Sequence, residues 1–310
     1  GLKLLGAAPP PLRYCITQGD HDLGYVHTGV PPFRFLKAAH RGSHVDDLLR
    51  APVRAQPHWR GAYSDGSIAN SWYEVSVASP DGLGAAPPRQ VAMLIICLEY
   101  RPRDAVLKWA SQLLGRHPEH QAILVTHSYL NATSGMHSRV VSSVDDSNVI
   151  SGSEGDGVFK VAAQHANVFL VLCGHDDGEG YLLSNGADGH PIHQVMSNYQ
   201  QWRNGGNGWL RYLRFDLGRD EVHVRSYNVL TRRHNHSSEL TLLHCMRGRK
   251  ACGAVEKREQ KPTQRWYRSV DTPEGTPSLL ATASTTTRSA PVTHSAQVHL
   301  RHASHGAPRT

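Results

Sequence analysis

The sequence predicts a layered α/β domain. Three observations carry that expectation. Residues 91–98, 121–126 and 168–173 are short, almost wholly apolar runs, as expected of strands buried on both faces of a parallel sheet. Helix-type segments lie between them, over 102–114 and 158–166. Beyond residue 190 the pattern changes to period-two alternation without helices, the mark of an antiparallel meander that lies as a second sheet on the first.

In chain order, a Pro-rich start precedes an apolar segment, 12–17, read as a strand that feeds Gly19-Asp20-His21-Asp22. Residues 28–70 have weak periodicity and read as irregular connection with one helix near 35–39. Residues 72–77 alternate as a strand, a Pro/Gly turn occupies 80–88, and the buried strand 91–98 follows. Asp104 is placed to cap a helix whose Leu107, Ala110, Leu113 and Leu114 share one face and which Gly115 ends. After the strand 121–126, residues 142–157 form a polar Ser/Asp/Gly loop and 158–166 a short helix that leads into 168–173. The meander comprises 192–197, 209–215 and 221–227, its first two strands joined by the Gly/Asn-rich loop 198–208. Gly206 and Asn207 belong first to a tight turn there and second to a loop lining a cleft.

Charge divides the chain. The formal excess of +7 is carried wholly by the residues from Met246 onward, and the first 245 are neutral. We therefore read residues 1–243 as the domain and 244–310 as a basic, low-complexity, disordered tail. Nucleic-acid contact by that tail, with Trp266 and Tyr267 for stacking, is the secondary reading. No apolar run approaches the ~18 residues of a membrane span. Localisation is open between secreted and cytoplasmic. Cys15, Cys97 and Cys173 lie in apolar runs and read as small hydrophobes; the Cys245 to Cys252 spacing allows a loop disulfide or no bond, and the favoured expectation is that both stay unpaired.

The chemistry concentrates where apolar runs end. Residues 168–180, VFLVLCGHDDGEG, pass abruptly from strand to His175-Asp176-Asp177; 122–128 end in His127; 12–22 end in Asp20-His21-Asp22. Strand ends of this kind are where open α/β proteins place their sites. Imidazole nitrogens with carboxylate oxygens suit a divalent metal such as Zn, Mn or Fe. By itself His127 fits a hydrogen-bonded structural histidine as well as a ligand, and Asp176 fits a turn residue.

Taken in order, Gly19-Asp20-His21-Asp22, Thr126-His127-Ser128 and Gly174-His175-Asp176-Asp177 resemble the third, fourth and fifth motifs of the calcineurin-like metallophosphoesterases. The resemblance extends from about residue 12 to 227 and takes in Leu98-Glu99, Asn198-Tyr199-Gln200 and Gly205 to Arg211. It implies a β-sandwich of two mixed sheets flanked by helices, in αββα layers, lacking its first strands. It further implies hydrolysis of phosphoesters by a hydroxide bridging two divalent ions. Asp20, His127, His175 and Asp177 would be metal ligands, His21 the general acid, Asp22 the residue orienting it, and Asn198, Tyr199, Gly206 and Asn207 substrate contacts. Asp20 stands where the family has a metal-binding Asn and Asp177 where it has a second His. The first two family motifs are expected upstream of Gly1. A catalytically inactive domain that keeps the fold for binding or scaffolding is the alternative. The substrate is not legible.

Overall fold

A computed structural model describes residues 13–20, 22, 44–78, 90–130, 155–246 and 264–267. Helix α1 is His44–Arg54, followed by strands β1 (Trp59–Ala62), β2 (Ser71–Ala78) and β3 (Gln90–Cys97). Helix α2 (Asp104–Arg116), β4 (Gln121–Val125), α3 (Gly155–Gln164) and β5 (Val168–Cys173) come next. Then come β6 (Gly178–Asn185), β7 (Pro191–Asn198), β8 (Trp209–Asp216), β9 (Glu221–Asn228), β10 (Arg233–His234), β11 (Leu240–Leu243) and β12 (Gln264–Tyr267).

Eight strands form one mixed sheet in the order β1-β2-β3-β4-β5-β7-β6-β12. Its centre, β3-β4-β5-β7, is parallel, with Cys97 beside Val125, Val125 beside Leu172 and Cys173 beside Met196. All four strands therefore end on one edge. In the second sheet, antiparallel β9 pairs with β8 on one side and with β10 and β11 on the other.

The pleat assigns the faces. Leu94, Ile96 and Leu98 point toward α2 and α3, packing with Val106, Ala110, Leu114, Val158 and Ala162. Val91 and Met93 point the other way, with Ile123, Phe169, Leu170 and Val195, onto Val222, Val224, Leu240 and Leu242 of the second sheet. Ile95 and Val125 border both that core and a smaller one built by Val53, Ile68, Tyr73 and Cys97. Helix α1 thus lies beside the second sheet, on the face opposite α2 and α3.

Several expectations are corrected. Residues 13–19 are not a strand; Thr17 Oγ1 donates to the Leu98 carbonyl and holds them against the end of β3. The 28–70 stretch contains α1 and β1, while the helix expected near 35–39 and most of the loop expected over 142–157 lie outside the described residues. Gly155 to Gly157 are already helical. Arg103, not Asp104, is the N-cap of α2, and it caps through no side-chain hydrogen bond. That helix runs through Gly115 to Arg116.

The expected meander is also partly wrong. Strand β7 belongs to the first sheet, because β6 runs out along its edge and a hairpin returns β7 between β6 and β5. β6 is buried on both faces over its first six residues, so its sequence lacks the alternation by which a strand is recognised. Among the described residues α2 and α3 cover one face of the sandwich, while the 3₁₀ turn His236–Ser238 reaches the buried Ser226 of β9.

The boundary at residue 243 is crossed twice. His244 stacks on Phe169 at 3.9 Å and Met246 is buried. Gln264–Tyr267 forms β12, antiparallel to β6 with Trp266 opposite Gly180. Cys245, expected to be unpaired, is disulfide-bonded. Among the described residues no helix is long and apolar enough to cross a membrane.

Candidate metal centre

Parallel pairing places the two histidines side by side. Thr126 N–H donates to Leu172 O and Gly174 N–H to His127 O, so the β4–β5 ladder continues past both strand ends. His127 and His175 follow directly from that continuation. His175 adopts the left-handed backbone region, with φ of 69°, a conformation that costs a residue with a Cβ about 1 kcal/mol or more. An anchored side chain holds it there. The Asn198 side-chain amide, at the end of β7, donates to the His175 carbonyl, and Asn198 itself pairs with Gly178.

Asp20 arrives from the other side. Its segment is fastened by Thr17 to Leu98 O and by His58 Nε2, which donates to Tyr14 O at 3.0 Å. A tight turn follows: Asp22 N–H donates to Gly19 O at 3.2 Å, and Asp22 Oδ2 accepts from Gly19 N–H at 2.8 Å. Glycine is required at 19 because the His127 ring lies where a side chain would begin; a Cβ there would be 2.9 Å from His127 Cε1.

Three donor atoms converge. His127 Nε2 is 2.9 Å from Asp20 Oδ1, His175 Nδ1 is 3.2 Å from His127 Nε2, and His175 Nδ1 is 3.5 Å from Asp20 Oδ1. Burial by itself would raise the Asp20 pKa, but hydrogen bonds and charge from His127 and His175 outweigh it and hold the carboxyl well below the usual range. Asp20 therefore stays anionic. Tyr100, buried beyond the end of β3, has its ring centroid 5.8 Å from that of His127 and 5.9 Å from that of His175.

The triangle fits a metal ion. Donors ~2.1 Å from one tetrahedral ion stand about 3.4 Å from each other, close to the three separations observed. Two imidazole nitrogens and one carboxylate oxygen form a donor set suited to Zn, Mn or Fe. With three protein ligands, such a site keeps a coordination position for water or substrate.

The structure also describes the surroundings of other expected site residues. Asp177 is exposed and stands outside this donor group. His21 lies outside the described residues. Asp22 spends one oxygen on the Gly19 amide. Tyr199 donates to Glu179 Oε1 at 2.6 Å, deep in a network in which Ser226 Oγ and Asn235 Nδ2 also donate to that carboxylate. Burial and the Glu179 charge push the Tyr199 phenol up, so it remains a donor. Gly206, at φ of 93°, passes so close to Tyr199 that a Cβ would come within 2.8 Å of Tyr199 Cβ. Asn207 O accepts from Asn228 Nδ2 at 3.0 Å. Tyr199, Gly206 and Asn207 thus make the scaffold behind Asn198, which in turn holds His175. Sequence reading missed Gly19 and Tyr100 as site residues; the position of Tyr100 just past a buried strand was the available signal.

No family model matches the chain. Among curated proteins, the chain is similar to a Bacillus subtilis (strain 168) protein described as uncharacterized protein YvnB, 33% identical over 140 residues. The match covers 43% of this chain and 10% of the relative, so the chain spans a small part of that protein's length.

Proposed function

We propose that the chain is part of a metal-dependent phosphoester hydrolase of the calcineurin-like metallophosphoesterase kind. The observation that carries the reading is the Asp20–His127–His175 triangle at the ends of β4 and β5. The order of the three motifs along the chain and the packing of two sheets into a sandwich support it. Asp20, His127 and His175 would hold one divalent ion; in the complete protein a second, with Asp177 among its ligands, belongs to the same reading. Bound metal would supply Lewis acidity toward a phosphoryl oxygen and a nucleophilic hydroxide at neutral pH.

The chain's own residues orient that chemistry. Asn198 fixes the backbone of His175, Gly19 admits the His127 ring, and the Tyr100 ring packs beside both imidazoles. The added charge of Asp20, relative to the amide of the family pattern, tightens metal and weakens its Lewis acidity. His21 is assigned the role of general acid toward the leaving alkoxide, which suits an imidazole titrating near neutrality.

A specific observation favours the second reading, an inactive domain that binds metal: among the described residues one donor group is formed and Asp177 stands outside it. Metal analysis and hydrolysis of an aryl phosphate with added Mn or Zn separate the two readings. Activity that depends on metal and is lost in His175→Ala supports the hydrolase. Metal bound without turnover supports the inactive domain. Turnover undiminished in both His127→Ala and His175→Ala would remove the metal mechanism altogether.

A further inference from the structure

We propose that Cys15 and Cys97 are a redox-active thiol pair whose disulfide ties the segment carrying Asp20 to the end of β3. Cys15 lies half-buried in the 13–19 segment, and Cys97 is the fully buried last residue of β3. Both belong to the small core around Val53, Ile68 and Tyr73. Cys15 packs directly against the cluster of which Cys97 is a member, which sets the two thiols in one small core. The two segments are fastened close by, since the Thr17 hydroxyl, two residues past Cys15, donates to the carbonyl of Leu98, one residue past Cys97.

The pair is chemically asymmetric in the way that thiol–disulfide exchange requires. The hydrogen bond from Cys97 lowers the Cys15 pKa, against the effect of burial, whereas that bond and burial together push Cys97 up. The half-buried member is thus the attacking thiolate and the buried one the resolving thiol. With a small-molecule disulfide RSSR as oxidant, the Cys15 thiolate attacks one sulfur, forming Cys15–S–S–R and releasing RS⁻. Cys97 then attacks the Cys15 sulfur, its proton passing to the second departing RS⁻. One external disulfide is reduced to two thiols, and one intramolecular disulfide forms. Cys173, the third free thiol among the described residues, is pushed up to about 12 by burial and serves as an internal control.

The test needs no assumption about the metal. The full chain is incubated under native conditions in glutathione buffers of graded oxidised-to-reduced ratio, then alkylated and mapped by mass spectrometry. Of the three thiols free among the described residues, two are expected to disappear together, with a Cys15–Cys97 linked peptide and Cys173 still alkylated. In Cys97→Ala a persistent glutathione adduct is expected on Cys15; in Cys15→Ala, Cys97 is expected to stay reduced. The second variant alters a half-buried position and keeps the test readable if the first does not fold. The proposal is overturned if both thiols survive the oxidised buffer, or if Cys15 of the unaltered chain keeps a glutathione adduct while Cys97 remains free.

Discussion

Gly19 shows how much one missing carbon can decide. It precedes the metal-facing carboxylate, and the ring of His127 occupies the space in which any other residue would place a Cβ. Gly19→Ala therefore displaces the imidazole from Asp20 while leaving every donor atom in the sequence. We expect its affinity for Zn or Mn to fall by at least tenfold, measured by titration calorimetry, with the denaturation midpoint of the metal-free chain changed little. Unchanged affinity would show that His127 does not need its present position. The donors themselves were legible because each stands where an apolar run stops. Gly19 and Tyr100 were not, since their roles depend on contacts with residues about a hundred positions and about thirty positions away that no local pattern records.

At the scale of elements, α1 is instructive. Pro52 within it and the weak periodicity around it suggest a loop, yet Val53 is fully buried and Asp46 pins the helix to the turn before β2. Asp46 Oδ1 accepts from Ile68 N–H at 2.6 Å and Oδ2 from Ser67 Oγ at 2.7 Å. Asp46→Ala leaves that buried amide unsatisfied, so a loss of about 1–3 kcal/mol is expected in denaturant unfolding. A loss below a few tenths would mean that water replaces the carboxylate. Strands β3, β4 and β5 were legible for a related reason: burial on both faces demands continuous apolar sequence, which is conspicuous in a chain of ordinary composition. β6 was missed because Gly178, Glu179, Gly180, Ser184 and Asn185 leave it neither alternating nor continuously apolar, and β7 was assigned to the wrong sheet because strand partners are chosen by topology. The hairpin between them says that they pair, and says nothing of β5.

The whole molecule is held by two sheets whose shared core also encloses histidines. His193 is fully buried; its Nε2–H donates to Leu243 O at 3.1 Å and its Nδ1 accepts from Tyr181 OH at 2.9 Å, so it is neutral. Burial, against the pull of that carbonyl, lowers its pKa from 6.5 to about 4. His244, stacked on Phe169, is pushed well down by burial and by its histidine neighbours. The unfolded chain takes up these protons near pH 6.5 and the native chain does not. Stability is therefore full above about pH 6.5 and declines as pH falls toward about 4, where the His193 contribution levels off, for a loss on the order of 3 kcal/mol. Denaturant midpoints at pH 7.5 and pH 5 check this, with His193→Gln expected to flatten the slope. An unaltered slope in that variant would assign the acid sensitivity to other groups.

β12 lies far along the chain from its neighbour, yet it closes the outer border of the eight-stranded sheet by pairing with residues Glu179 to Leu182 of β6. Without it, β6 would present a row of open amides and carbonyls beside the apolar sequence Tyr181-Leu182-Leu183, a template on which a second chain could lay a strand. Shortening the protein to end at residue 263 should thus convert a self-limiting sheet into one that grows. Light scattering that rises with concentration in the shortened chain, and not in the full one, is the expected result. Equal behaviour of the two would mean that β6 tolerates an uncovered edge. On the expected result, by contrast, the basic C-terminal region acts, through four of its residues, as a guard against self-association.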